Sequence, residues 1–442
     1  LAGEAGDDAW TLVVPDLSRP AFMQPPLPAE DRDKLKRAAF TADALDLLPT
    51  AKNHDLKQTR AVQSSPDEWI YALVSLQTMS GYFGRGNPGI ARMNSGFGNR
   101  PIVELVRSRT LGHRWRDAVS RLLQHRRQVL ADAFGYDPHG LVLVWLEPWD
   151  GRSSLPLSRL DPFHIEICRR VRLRGQDGLV WAEAVPSESN RIAAKDLKGV
   201  VGDAWLPIDI GAAKEGQAGD EKALTIPPQG LTPDILRRVV FADGLRLSPL
   251  QRPADGWSGP LWLTVSVLVR GQGTTDGFHE QEIPIPQRVQ PRLFGSRDLR
   301  QPLAQLSRTA LEYAGIFENR VLKPAVFKYL EGAPETIQFD RVSAKAWWQR
   351  FSGRFSSLWS QDYFPWLWSV PDPFDEESVL TEWVKLLRDR GLAVLSEATA
   401  VLPRRAGRQY RALVEAERTF WAALYRAFPF VKEETHAGTT TS

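Results

Sequence analysis

The chain has 442 residues, of which 43% are hydrophobic and 25% charged, with 56 basic against 53 acidic side chains and a net charge of +3. That length exceeds what one core usually serves, so two domains are expected, and the composition excludes large-scale disorder. The single cysteine, Cys168, excludes an intramolecular disulfide framework and Cys-rich zinc or iron–sulfur sites. It points to a reducing, cytoplasmic setting, and its place in the apolar phase of residues 164–168 marks a buried, inert thiol. The longest apolar runs, such as residues 141–146, fall far short of the roughly 20 residues a membrane helix needs. No signal-peptide pattern opens the sequence, and because it begins at Leu1 rather than a methionine, residues upstream are expected to be missing.

Taken in order, residues 10–14 read as a short strand, and Phe22-Met23-Gln24 sits among Pro20, Pro25, Pro26 and Pro28, which hold the chain extended. Residues 47–65 form a polar, proline-punctuated loop with Lys52, His54, Lys57 and Arg60, either a contact loop or a plain surface connection. Residues 67–80 carry apolar side chains at helical spacing. Residues 80–100 then hold six glycines, three arginines (Arg85, Arg92, Arg100) and no acid. Glycine lets backbone N–H groups approach a ligand closely, and arginine suits phosphate, so this loop is read as touching an anionic polymer. Its literal G-x-G-x-x-G at Gly84, Gly86 and Gly89 is not read as a dinucleotide fingerprint, because no strand precedes it and no helix opens from it. A plain structural turn is the other reading.

Between Arg85 and Arg127 ten arginines stand against two acids, Glu104 and Asp117, the footprint of nucleic-acid binding. The alternative is a solvated face of a helix over residues 115–134, with Trp115, Val119, Leu122 and Leu130 toward the core. Residues 141–146, 179–185 and 200–206 read as strands, with Arg169, Arg170, Arg172 and Arg174 as a second basic cluster and Lys195 and Lys198 ahead of the last strand. Residues 261–269 alternate cleanly, and the tip at residues 270–277 and the return at residues 278–285 predict a projecting hairpin whose Pro284 and Pro286 keep the return at a sheet edge. From Asp298 the period becomes helical, and four amphipathic segments separated near Pro334, Pro371 and Pro403 predict a four-helix bundle. The expected architecture is α+β: a large mixed domain over residues 1–297, a bundle over 298–435 and a flexible tail over 436–442.

Phe22-Met23-Gln24, the glycine loop, residues 155–173, the VRGQGTTDGFHE hairpin and the bundle together resemble the large subunit of Cascade, the type I-E CRISPR surveillance complex (the CasA family). The resemblance runs over nearly the whole chain, although 21 residues precede Phe22 where that family has roughly 75. It implies a non-catalytic subunit, without metal or cofactor, that reads a short protospacer-adjacent motif in double-stranded DNA and starts strand separation. By it, Gly84, Arg85, Gly86, Asn87 and Gly89 approach the minor groove with Lys195 or Lys198. Gly271, Gln272, Gly273 and Thr274 form a wedge, Gln272 lying about one position early against the family's pattern. Residues 52–63, with Lys52, His54, Lys57 and Arg60, would contact the CRISPR guide RNA, and Arg92 and Arg100 phosphate. The bundle would hold the displaced strand, at Arg404, Arg405 and Arg408, and help recruit the helicase-nuclease beside the other Cascade subunits. A minor groove distinguishes base pairs poorly, so several motifs would be tolerated, with guide pairing carrying specificity.

Two other classes remain open on the sequence. A nuclease lacks support, since the seven histidines are scattered and no acid cluster has metal spacing. A scaffold that binds only RNA or protein would show no dependence on a DNA motif.

Overall fold

The computed structural model describes residues 2–45, 64–93, 98–211, 220–254, 256–271, 274–401 and 409–431. The chain divides into two compact units, Leu1–Gln287 and Arg288–Ser442. The helical unit therefore opens ahead of the change of period at Asp298. A short helix, α4 (Gln290–Phe294), joins it through Arg292, whose guanidinium donates to the carbonyls of Val370 and Pro371.

The first unit holds eleven strands among the described residues: β1 (Lys36–Ala39), β2 (Ile102–Val106), β3 (Leu141–Leu143), β4 (Leu160–Ile165), β5 (Arg170–Gln176), β6 (Leu179–Val185), β7 (Ile208–Asp209), β8 (Lys222–Ala223), β9 (Leu245–Arg246), β10 (Leu261–Gly271) and β11 (Thr274–Ile285). They form small sheets in the orders β1-β6-β5, β11-β10-β2, β3-β4 and β8-β7-β9. Besides two single-turn helices at Ala29–Arg32 and Ala42–Leu45, its helices among the described residues are α1 (Pro66–Met79), α2 (Leu111–Ala131) and α3 (Pro233–Phe241). In β10 the alternation read from the sequence becomes burial: Leu261, Leu263, Val265, Val267 and Val269 face the core. Pro284 lies opposite Trp262 on β11, an edge strand, where its missing N–H costs no ladder bond. The pairing ends with Gly271 opposite Thr274; Gln272 and Gly273, between them in sequence, lie outside the described residues.

Three expected strands differ. The strand expected at 10–14 is absent: Trp10 ends a 3₁₀ helix over residues 3–10 and residues 11–14 are irregular, while the fully buried Trp145 donates from Nε1 to the Ala9 carbonyl. The run at 141–146 pairs only as far as Leu143, with Leu141 opposite Leu160 and Leu143 opposite Ile165, and then tightens into a 3₁₀ turn. Residues 200–206 are not a strand: Val201, Ala204 and Leu206 are buried from irregular backbone, which places Asp203 inside. Burial alone makes a segment apolar, whether or not it pairs.

Two buried glutamines replace missing ladder partners. Gln24 accepts from the N–H of Leu173 on edge strand β5 and donates to the carbonyls of Leu12 and Phe22. Gln77 on α1 accepts from the N–H groups of Cys168 and Arg169 and donates to the carbonyls of Met23 and Arg169. Phe22-Met23-Gln24 is thus an internal clamp, with Met23 at φ +55°. Cys168 is buried, its thiol donating to the Leu76 carbonyl.

In the second unit α5 (Arg297–Ile316) runs through a π turn at residues 317–322 into α6 (Lys323–Leu330), followed by α7 (Val342–Ser369), α8 (Glu376–Val401) and α9 (Gln409–Ala427). Its core is aromatic: Phe317 stacks with Phe355 at 5.5 Å and meets Phe420 edge-on at 5.8 Å. Trp383 packs against Trp366 at 4.6 Å and donates to the Ala310 carbonyl at 2.8 Å. Among the described residues no helix is long and apolar enough to cross a membrane.

Gly391 lies against this core, where an added Cβ would stand 2.6 Å from the Phe317 ring. Gly353 on α7 has open space. Gly353→Ala should therefore stabilise the chain by about 0.5–1 kcal/mol through helix propensity, whereas Gly391→Ala should destabilise it by about 1–2 kcal/mol because overpacking outweighs that gain. Urea unfolding of both variants checks the opposite signs; matching signs would refute this packing.

Candidate nucleic-acid interface

The glycine loop leaves α1, whose start is fixed by a capping box: Ser65 Oγ accepts from Glu68 N–H, and the Glu68 carboxylate accepts from Ser65 N–H at 2.6 Å. The loop closes where Ile90 N–H donates to the Ser80 carbonyl at 3.0 Å. Its tip is a tight turn in which Phe83 N–H donates to Asn87 O and Asn87 N–H to Gly84 O, with Gly84 and Gly86 both at φ +88°. No helix opens from it, as the sequence predicts; the next is α2 at Leu111.

The glycines divide by role. A Cβ added at Gly84 would meet nothing within 4 Å, and the residue stands at the exposed tip with Arg85. Gly86 is pinned, its carbonyl accepting from Ser187 N–H and its α-carbon set against Pro186. Gly89 turns inward: a Cβ there would stand 2.6 Å from the Gly81 backbone, so its small size serves a chain crossing rather than a groove. Arg169 holds the loop from beneath by donating to the carbonyls of Pro88 and Gly81, and Asn190 donates to Gly89 O at 2.5 Å.

Two consecutive exposed aromatics that the sequence reading passed over lead into the tip, Tyr82 at 51% and Phe83 at 47% exposure. The signal available was aromatic residues inside an acid-free, glycine-rich stretch. Tyr82 lines a cavity of about 250 Å³ with Gly89, Ile90, Asn190 and Lys195. Of the two lysines, Lys195 is exposed and carries no ion pair among the described residues, whereas Lys198 pairs with Asp220 at 2.6 Å. The hairpin end approaches the same helix that feeds the loop, since Arg270 on β10 donates to Ser75 of α1 at 3.1 Å.

Arg92 and Arg100, expected at phosphate, are turned toward an acid of the chain itself. Both engage the buried carboxylate of Asp203, at 3.3 and 2.9 Å, because residues 200–206 carry that acid inward. Burial pushes the Asp203 carboxyl up, but Arg100, Arg92 and the Trp205 N–H outweigh it and hold it at about 2. Beside them His164 must carry its proton on Nδ1, which donates to the Asp161 carbonyl, leaving Nε2 toward Arg92. Burial and the Arg92 charge lower His164 to about 3, so the ring is neutral. Glu166 accepts from Ala91 N–H at 2.6 Å, and burial raises it to about 7 against the opposing pull of Arg92 and Arg100.

The same correction covers the rest of the basic stretch. Arg107 and Arg121 pair with Asp117, Arg109 with Glu282, Arg114 with Glu104 and Arg126 with Asp161. Among the described residues only Arg85, Arg116 and Arg127 of the ten carry no ion pair. Trp115, expected in the core, is 65% exposed, and the buried side of α2 is formed by His125 and Val129. In the second cluster Arg170 pairs with buried Asp31, and the fully buried Arg172 donates to carbonyls of Val14, Arg19 and Pro25. Lys52, His54, Lys57, Arg60, Gln272, Gly273, Arg404, Arg405 and Arg408 lie outside the described residues.

No protein-family model and no curated protein matches the chain. Solved structures do. Over 95% of this chain and 80% of its own length, CasA of Thermus thermophilus superposes with a TM-score of 0.58 at 15% identity. The chain has the CasA fold. The CRISPR-associated protein Cse1 from Acidimicrobium ferrooxidans matches 92% of this chain and 79% of its own at TM-score 0.55 and 18% identity. A second Thermus thermophilus CasA (Cse1) structure, matching 92% of this chain and 78% of its own, gives 0.56 at 14% identity. The CasA fold accommodates both units, the mixed sheets and the helical rods.

Proposed function

We propose that this chain is the non-catalytic large subunit of a CRISPR RNA-guided surveillance complex, reading a short motif in duplex DNA and beginning strand separation beside it. The observation that carries the reading is the exposed turn at residues 82–85, with open space at Gly84 and, among the described residues, no ion pair to Arg85 or Lys195, on a chain with the CasA fold. A turn presenting backbone and a lone ammonium suits a narrow groove, where readout is degenerate. Gly84, Arg85, Asn87 and Lys195 are the proposed groove contacts; Gly86 and Gly89 shape the turn. Gln272 and Gly273, with Thr274, are the proposed wedge, which repays a few kcal/mol of unstacking through phosphate contacts. Guide RNA, other Cascade subunits and a helicase-nuclease are the proposed partners.

Duplexes with and without permissive motifs, titrated over a salt series, test this. Lys195→Ala should weaken motif-bearing duplexes and lower the salt slope by about one. Lys198→Ala, whose charge Asp220 already neutralises, should bind as the parent does. Binding that ignores the motif, or equal losses from both lysines, would overturn the reading.

A further inference from the structure

The cavity beside the turn is built differently from a surface for a double helix. Its floor is apolar and buried, from Ile90, Ala91 and Met93; one wall is the Tyr82 ring and another carries Lys195. Among the described residues no acid lines it, and the Asn190 amide is committed to Gly89 O. Tyr82 makes no ring contact among the described residues, so its face is open while its position is set by the Ile90 to Ser80 hydrogen bond and the Arg169 clamp on Gly81. A volume of about 250 Å³ is too small for a duplex and suits one flat heterocycle.

We propose that this cavity holds a single unpaired nucleobase, stacked on Tyr82, with Lys195 taking the adjoining phosphate. An apolar floor with an aromatic wall recognises the π-face every base shares, and one cation beside it recognises the polyanionic backbone. This deepens the proposed function: strand separation at the turn would release such a base, and its capture would oppose reannealing. An unpaired base could also come from an RNA strand, so the test carries an arm for each.

The purified chain is titrated with single-stranded oligodeoxynucleotides and oligoribonucleotides carrying one fluorescent aminopurine and no motif. Stacking contributes about 1–3 kcal/mol per base, so Tyr82→Leu should weaken binding about tenfold or more and abolish the emission change on binding. Tyr82→Trp and Tyr82→Phe should restore both, which a merely apolar contact would not require. Tyr82 is exposed, so these variants leave the fold intact. Tyr82→Leu binding with unchanged affinity and emission would overturn the inference, whichever strand is used. If that happens while motif-dependent duplex binding persists, the proposed function stands without it. If Tyr82-dependent capture is seen only with RNA and duplex binding ignores the motif, the cavity stands and the duplex reading falls.

Discussion

Replacing Asp203 with alanine should cost the chain about 3–5 kcal/mol of folding stability, the loss expected when a buried charge partner is removed. Asp203 is 2% exposed at its side chain, and its carboxylate is the shared partner of Arg92 and Arg100. Without it two guanidinium groups remain inside with no ion-pair partner, beside Glu166, whose own charge burial disfavours. Arg92 keeps only the His164 carbonyl at 3.1 Å and the ring nitrogen at 3.4 Å. The Trp205 N–H, which donates to Asp203 Oδ1 at 2.9 Å, is orphaned as well. Denaturant unfolding near neutral pH measures the loss, with Glu188→Ala as the control: its partner Arg152 is exposed, and such surface pairs contribute about 0–1 kcal/mol. A loss for Asp203→Ala no larger than the control's would show that the pair is ornamental. The depressed carboxyl also fixes a direction in pH. Its contribution is complete above the ordinary 3.8 and is lost as pH falls toward about 2.

The second large effect comes from Glu166, whose sign is opposite. Its carboxyl is 3% exposed and is raised from the ordinary 4.5 to about 7 by burial. The folded chain therefore binds a proton that the unfolded chain has released between those values. Stability attributable to this group is complete below 4.5 and declines as pH rises to about 7, by about 3 kcal/mol in all. Glu166→Gln keeps the acceptor for Ala91 N–H and removes the titration. The variant should match the parent near pH 4.5 and exceed it by about 3 kcal/mol above pH 7. His164 works the other way. Held at about 3 instead of 6.5, it loses stability as pH falls below its ordinary range, so the two groups offset each other between about 4.5 and 6.5. Glu166→Gln should unmask a rise of stability with pH in that window. Unfolding free energies across it decide the matter: a parent and variant with parallel pH profiles would exclude a buried titrating carboxyl.

The legibility of this chain tracks the range over which each feature is determined. The β10–β11 hairpin was readable because period-two burial and an edge proline are local properties of the strand. The helical rods were readable for the same reason at period 3.6. Residues 200–206 were not, because Val201 and Leu206 pack from irregular backbone and look like a strand in composition only. The arginines of residues 85–127 misled most. Their count over a window misses Asp203, Glu282 and Asp161, acids distant in sequence that fold back to neutralise Arg92, Arg100, Arg109 and Arg126. Within the glycine loop, sequence could locate the turn at Gly84 and Gly86 but could not separate Gly84, facing open space, from Gly89, facing backbone. The choice between Lys195 and Lys198 likewise rested on Asp220, which no motif announces.

The neutralised arginines have a kinetic consequence. A polyanion diffusing toward the first unit meets a weak far field, because seven of the ten positive charges in that stretch are already matched by carboxylates within 4 Å. Under the proposed function, encounter would then be governed by collision frequency more than by long-range attraction. On that same proposed function, a surface of that kind would pass over most of a genome's phosphate and dwell only where shape lets the turn enter.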